Sequence, residues 1–536
     1  MAERRETKHA KKKAGDVSLP VAVIDVGTTS IRMMLAQIDS RGMHHPLEFL
    51  HQTVSLGSDT FTSGRISRAN IEASVRALRS FRRVLEEYGV TDEGRVRAVA
   101  TTAVREASNR DAFIDRVHIA TGIAVEPIDE VDVARLTYLS VRAYLEVNPR
   151  LAQSAAIVTE VGGGSTELLF IDKGNFSYSQ TFHFGTLRIH EMLEAFRAPV
   201  ARQKQVISND VERTVDQIRH TVAPQRPISL IALGNDARFA ASQLGCRWSK
   251  GRTARVPIGR LSGFADEMLS KSDDELVRQY HIPFADAESV GPALLFYALL
   301  GKAYGLKHVV ASDISMRHGL LLEMVRRGEW TSDFSEQIVG SAVEIGRRYQ
   351  TDLLHSGHVA SLCRVLFTAL QDDHHLDPWW ELLLRVAAHL HDIGTFVGTA
   401  GHHKHSMYLI QHCELFGLNK RDILLVSLIA RYHRRGTPKS THAGYSTLQR
   451  PDRQSVAKTA AILRVADALD RSHSGRVRDI TWSREEDRFV IHVPSVADLS
   501  LEQLALQHKG TMFEDVYGMR VVLRRKTTQA EEPWPH

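Results

Sequence analysis

The sequence predicts an α/β protein of two related lobes, followed by an all-α domain and a small α+β tail. Three observations carry this. A unit of strand, acidic residue, Gly/Thr/Ser turn and strand at 21–38 recurs at 155–171 with a constant offset of 135 residues. Strand-like and helix-like runs alternate through about residue 330, whereas apolar residues at i, i+3, i+4 dominate after about 335. Thirteen of the 27 histidines lie between 331 and 480, which marks that stretch as chemically distinct.

The elements follow in order. Residues 1–17 read as a basic disordered arm, because 1–13 alone hold six cations against two anions. The first lobe spans 18–150. It opens with Val-Ala-Val-Ile-Asp-Val-Gly (21–27), a Thr-Thr-Ser turn and Ile-Arg-Met-Met-Leu-Ala-Gln-Ile (31–38), a hairpin signal. A helix is expected at 68–89 from Ile71, Val75, Leu78, Phe81 and Leu85, closed by Gly89. A strand entering a helix follows at 95–106, then helix, short strand and helix through 148. The second lobe, 151–330, repeats the hairpin: Asp25 aligns with Glu160, Gly27 with Gly162, Ser30 with Ser165 and Arg32 with Glu167. The helical domain is expected at 331–476, and strand-like runs around a helix near 498–507 form the tail, 477–536.

Composition excludes several classes. The longest apolar run, 293–300, is eight residues, far short of the ~18 that a membrane helix needs. Cys246, Cys363 and Cys413 have no CxxC spacing and cannot build a disulfide framework. The N-terminus lacks an apolar signal stretch, so a cytoplasmic location is expected. The net charge of +5 resides mostly in the basic arm, leaving the body near neutrality, so nucleic acid is not the expected partner.

A short Gly/Ser/Thr turn aims several backbone N–H groups and hydroxyls at one point, a nest for phosphate oxygens. Gly27, Thr28, Thr29 and Ser30 form one such turn, and Gly162, Gly163, Gly164, Ser165 and Thr166 the other. Asp25, Glu160 and Glu167 beside them suit Mg²⁺, and Arg32 and Arg105 suit further phosphate oxygens.

The segments Asp-Val-Gly-Thr-Thr-Ser-Ile-Arg (25–32), Ala-Val-Ala-Thr-Thr-Ala-Val-Arg-Glu-Ala-Ser-Asn (98–109) and Glu-Val-Gly-Gly-Gly-Ser-Thr-Glu-Leu (160–168) resemble signatures of the exopolyphosphatase / guanosine pentaphosphate phosphohydrolase (Ppx/GppA) family. Phe-Gly-Thr-Leu-Arg (184–188) and Ser-Met-Arg-His-Gly-Leu-Leu (315–321) fit its later segments. The resemblance implies two actin-like ATPase (ribonuclease H-like) lobes with a Mg²⁺-dependent phosphohydrolase site in the cleft between them, and often a homodimer. Three positions depart from the family pattern. Val133 stands where the family places the glutamate that activates water, and valine accepts no proton. Glu160 replaces the usual aspartate, and the second-lobe turn reads Leu-Gly-Asn-Asp-Ala-Arg (233–238). Asp132, with Glu130, is then the nearest alternative base in sequence.

In the helical domain, His391-Asp392 closes an apolar run, with His355 upstream and Asp467 downstream. This order resembles the HD superfamily of metal-dependent phosphohydrolases. His405 and His433 offer further ligands, and imidazole with carboxylate suits a divalent transition metal such as Mn²⁺, Fe²⁺, Ni²⁺ or Zn²⁺. Arg431, Arg434, Arg435 and Lys439 make this neighbourhood basic. A lone histidine such as His389 or His412 is expected to be packed or surface-lying.

The leading expectation is a phosphohydrolase acting on inorganic polyphosphate or guanosine pentaphosphate, with Glu160, Glu167 and Asp132 as the catalytic carboxylates. Two alternatives stay open: a silent sensor binding polyphosphate or a guanosine tetra- or pentaphosphate, and turnover in the histidine domain.

Overall fold

A computed structural model describes residues 20–38, 44–146, 153–196, 200–222, 227–248, 253–325, 332–413, 415–434, 436–494, 496 and 498–525. The basic arm, Arg435 and the boundaries expected at 150 and 330 lie outside these residues. The chain divides into two compact units, 1–329 and 330–536.

The first unit holds two sheets. Strands β1 (Pro20–Val26), β2 (Ser30–Ile38), β3 (His44–Thr53), β4 (Val96–Ala100) and β5 (Val125–Pro127) are ordered β3-β2-β1-β4-β5. β1, β2 and β3 form an antiparallel meander, and β4 and β5 extend it in parallel. The second sheet repeats the plan with β6 (Ala155–Val161), β7 (Thr166–Asp172), β8 (Asn175–Phe182), β9 (Ile228–Leu233) and β11 (His308–Ser312). It adds one antiparallel edge strand, β10 (Thr253–Pro257). The internal repeat survives to the level of register: Asp25 pairs with Arg32 as Glu160 pairs with Glu167.

β1 reads as a nearly continuous apolar run because both faces of its sheet are covered. Ala22, Ile24 and Val26 meet Val75, Leu78, Phe81 and Leu85 of the helix Arg68–Glu87. That helix is capped by Ser67, whose hydroxyl accepts the Asn70 N–H, and is followed by Gly89 at φ +72°. Val23 faces the opposite way, toward Val133 and Leu136 of the helix Glu130–Glu146 and Met316, Leu320 and Leu321 of the helix Met316–Val325.

This last contact corrects the expected lobe map. The helix Met316–Val325 follows the last strand of the second sheet, yet it packs on the first. Its apolar face finds partners only where β1 and the helix Glu130–Glu146 leave a groove. Gly319 sets the approach, since a Cβ there would stand 2.0 Å from the Leu136 carbonyl oxygen. Gly319→Ala therefore forces the two helices apart. It is expected to cost about 1–3 kcal/mol, read as a lower urea midpoint for the first unit.

The apolar run 293–300 is the centre of the helix Phe284–Ala303, buried inside the second lobe. Its one polar tip, the Tyr297 hydroxyl, accepts the Val161 N–H at 3.1 Å and donates to the Leu233 carbonyl at 2.9 Å. It thereby ties the ends of β6 and β9 together beside the cleft. Among the described residues no helix is long and apolar enough to cross a membrane.

The second unit is helical around the helix Arg450–Leu469, which is buried along most of its length. Helices Leu353–Ala369, Pro378–Leu390 and Lys420–Arg431 pack against it. The strands β12 (Thr481–Glu485), β13 (Arg488–Val493) and β14 (Arg520–Arg525) form a small sheet. The intervening helices Ser500–Lys509 and Thr511–Tyr517 dock on Arg450–Leu469, so the tail shares the helical core.

Candidate functional site

The two Gly-rich turns close in the same way. The Gly27 N–H donates to the Ser30 carbonyl at 3.0 Å, and the Gly162 N–H to the Ser165 carbonyl at 2.8 Å. Both turns line one cavity of about 140 Å³ between the lobes. The second turn also meets the chain after β4: the Thr102 and Ser165 hydroxyls lie 3.1 Å apart. The close approach explains Gly185, where a Cβ would stand 2.3 Å from the Gly164 carbonyl carbon. Arg188 fixes the same turn, donating to the Gly164 carbonyl at 2.9 Å while pairing with Glu106 at 2.8 Å.

The cavity mixes charges of both signs. Asp25, Glu160, Glu167, Asp236 and Asp286 line it with Arg32 and Arg317. Arg317 is buried and pairs with Asp25 at 2.9 Å; burial lowers its pKa and Asp25 opposes that. Burial raises the Glu160 pKa, countered by Arg317 and Arg32. Burial also raises Glu167, to about 7, although the Ser165 hydroxyl donates to its carboxylate at 2.7 Å. Asp236 rises to about 6, again through burial and then the neighbouring Asp286. Carboxylates whose proton affinity burial raises in a cleft are suited both to move protons and to take a hard cation. A cation there would relieve the desolvation they bear, so the donor set fits Mg²⁺.

The cavity gathers Gly27, Thr28, Thr29, Ser30, Arg32, Glu160, Gly162, Gly163, Gly164, Ser165 and Glu167 from the sequence expectation. It does not gather three others. Thr166 is buried and its hydroxyl donates to the Phe184 carbonyl at 2.8 Å. Arg105 is turned to Glu130 at 3.2 Å and the Ile128 carbonyl at 3.2 Å. Asp132 is corrected as a base: its carboxylate is held by Arg135 at 3.2 Å, and Arg135 is tied in turn to Glu323. Val133, one residue on, is the member of that helix that lines the cavity. Residue-by-residue reading missed Arg317, Asp236, Asp286 and Ser289. Arg317 was visible within Ser-Met-Arg-His-Gly, and Asp236 within the altered 233–238 turn.

In the second unit, two groups of ligand atoms converge: His355, His391 and Asp467, and Asp392, His402 and His433. Asp392 joins them, 3.5 Å from His391 Nε2, 3.3 Å from His402 Nε2 and 3.6 Å from His433 Nε2. Each imidazole has its Nδ1 on an acceptor: Asp470 for His355 (2.8 Å), Ala388 O for His391 (2.7 Å), Thr399 O for His402 (3.1 Å) and Ala430 O for His433 (2.6 Å). That arrangement fixes the tautomer and turns Nε2 inward, as metal-ligating histidines require. The Nε2 atoms of His355 and His391 are buried and make no hydrogen bond, which fits a metal-ion ligand set. His405 belongs to neither group; it lies one helical turn beyond His402 on His402–Gln411, and His402 takes the place expected for it. Arg464, fully buried, donates to the Tyr432 carbonyl at 2.6 Å and so holds the chain beside His433.

Residues 34–328 match the Ppx/GppA phosphatase family, and 340–510 match Ppx/GppA phosphatase, domain III. The chain is 21% identical over 515 residues to a guanosine-5'-triphosphate,3'-diphosphate pyrophosphatase of Photobacterium profundum, covering 92% of this chain and 96% of that protein. It is 24% identical over 502 residues to the protein of the same name from Aeromonas hydrophila, covering 88% and 92%. In structure it resembles an exopolyphosphatase from Cytophaga hutchinsonii, with TM-score 0.52 and 21% identity, over 58% of this chain and 99% of that one.

Proposed function

The chain belongs to the Ppx/GppA phosphatase family, a family of hydrolases, and from that premise we propose that its cleft releases phosphate from inorganic polyphosphate or guanosine pentaphosphate. The observation that carries this reading is the pair of turns facing one cavity, with backbone N–H groups, Arg32 and Arg317 beside carboxylates. The turns bind phosphoryl oxygens and orient the terminal phosphorus. Arg32 and Arg317 stabilise charge that spreads over those oxygens as the bridging P–O bond breaks. Mg²⁺ held by Glu160 and Asp25 would neutralise phosphate charge when bound. A water oxygen forms the new bond to phosphorus, its proton passes to Glu167, and the bridging electron pair leaves with the shortened chain or nucleotide. Glu167 takes this role because Val133 has no basic atom and Asp132 is engaged by Arg135.

The test is phosphate release by the purified full chain with Mg²⁺ from each substrate. A base must be unprotonated, so release is expected to climb with pH as Glu167, raised by burial, loses its proton, and Mg²⁺ held beside it moves that climb to lower pH. Glu167→Gln removes both the rate and the climb. Binding of either substrate with no release at any pH would instead identify a sensor.

A second reading rests on the histidine centre. Four imidazoles with Nδ1 on an acceptor and Nε2 turned inward support an HD-type site for a divalent transition metal, with Asp392 between its two halves. A metal there would lower the pKa of a bound water and so supply a nucleophile for a phosphate ester or anhydride.

A further inference from the structure

Lys509 is the last residue of the helix Ser500–Lys509, and its ammonium group donates to Asp467 Oδ2 inside the histidine centre. The other oxygen of the same carboxylate, Oδ1, lies 3.7 Å from His355 Nε2. Both partners are nearly enclosed, with side-chain exposures of 16% for Lys509 and 8% for Asp467. The groups that face this point are Asp467, Asp392 and Lys509 with the imidazoles of His355, His391 and His433. Asp470 is paired with His355. A buried carboxylate without a counter-charge is costly, and Lys509 supplies that charge without any ion.

We propose that Lys509 is a built-in cation that competes with a divalent metal ion for Asp467, coupling metal loading of the histidine centre to docking of the helix Ser500–Lys509. This inference rests on the second reading above, that the centre binds metal. An ammonium and a divalent ion on one carboxylate repel each other, so tight loading requires Lys509 to withdraw. The start of the helix is held independently of Lys509. Glu502, fully buried, accepts from Arg476 at 2.7 Å and from the Ser472 hydroxyl at 3.2 Å.

The experiment compares the wild-type full chain with Lys509→Met, which keeps the stem, and Lys509→Arg, which keeps the charge, by Mn²⁺ titration calorimetry. His391→Ala subtracts Mn²⁺ bound in the cleft. Lys509→Met is expected to bind Mn²⁺ at the histidine centre at least about tenfold more tightly, whereas Lys509→Arg stays close to wild type. Without metal, Lys509→Met is expected to melt at a lower temperature than wild type and to regain that loss on adding Mn²⁺. In the wild type, Mn²⁺ is expected to speed amide exchange toward the C-terminal end of 500–509. Equal Mn²⁺ affinity in wild type and Lys509→Met overturns the competition while leaving the metal site standing. No His391-dependent Mn²⁺ binding by any variant overturns the metal reading itself.

Discussion

Val133→Glu is expected to raise phosphate release by up to about 10²-fold, the low end of a general base's contribution, because it adds a second carboxylate to the base that Glu167 already supplies. Val133 lines the cavity alongside Thr102, Met316 and Arg317, so a carboxylate there enters the space where a bound phosphoryl group meets water. No other group of its helix can do this: Asp132 is held by Arg135 and Glu130 faces Arg105. The substitution also removes an apolar contact with Ile128, Leu136 and Met316, at a cost of about 1–3 kcal/mol. Rate and stability should therefore move in opposite directions. The check is initial rates of phosphate release at saturating Mg²⁺, with the unfolding midpoint measured on the same preparation. An unchanged rate in a folded Val133→Glu protein would show that proton removal, with Glu167 in place, is not what limits turnover.

Glu160→Gln is expected to lower phosphate release by about 10²- to 10³-fold, in line with the loss of one preorganised electrostatic group. Glu160 is the last residue but one of β6, directly across from Glu167 on β7, and burial already disfavours its charge. Glutamine keeps the shape and removes that penalty, so the unfolding midpoint should hold or rise while activity falls. A loss of activity that tracked a loss of structure would instead assign Glu160 to the scaffold. Mg²⁺ dependence separates the roles further: a variant needing far more Mg²⁺ for half-maximal rate has lost a cation-holding group.

The two-lobed architecture was legible because the hairpin repeat is local and periodic. The offset of 135 residues reappears in the strand register, Asp25 with Arg32 and Glu160 with Glu167. The turn residues were legible for the same reason, since glycine and hydroxyl residues in one short loop have few other uses. What sequence could not supply was direction. Asp132 and Val133 are neighbours, yet a helix turns successive side chains about 100° apart, and only Val133 looks into the cavity. Thr166 was read with its turn, but it is the first residue of β7 and points into the core. His402 and His405 sit in one histidine cluster, and which of them meets Asp392 is decided by where the helix begins, at Gly401 with φ +75°. Arg317 lay 292 positions from its partner Asp25, a pairing that no local pattern encodes.

The return of the helix Met316–Val325 to the first sheet has a mechanical consequence. The chain runs from the helix Glu130–Glu146, packed on the first sheet, to β6 of the second, and comes back between β11 and the helix Met316–Val325. One tether would let a lobe swivel freely; two restrict it. Opening the cleft then has to move both crossings at once, which a single connection would not require.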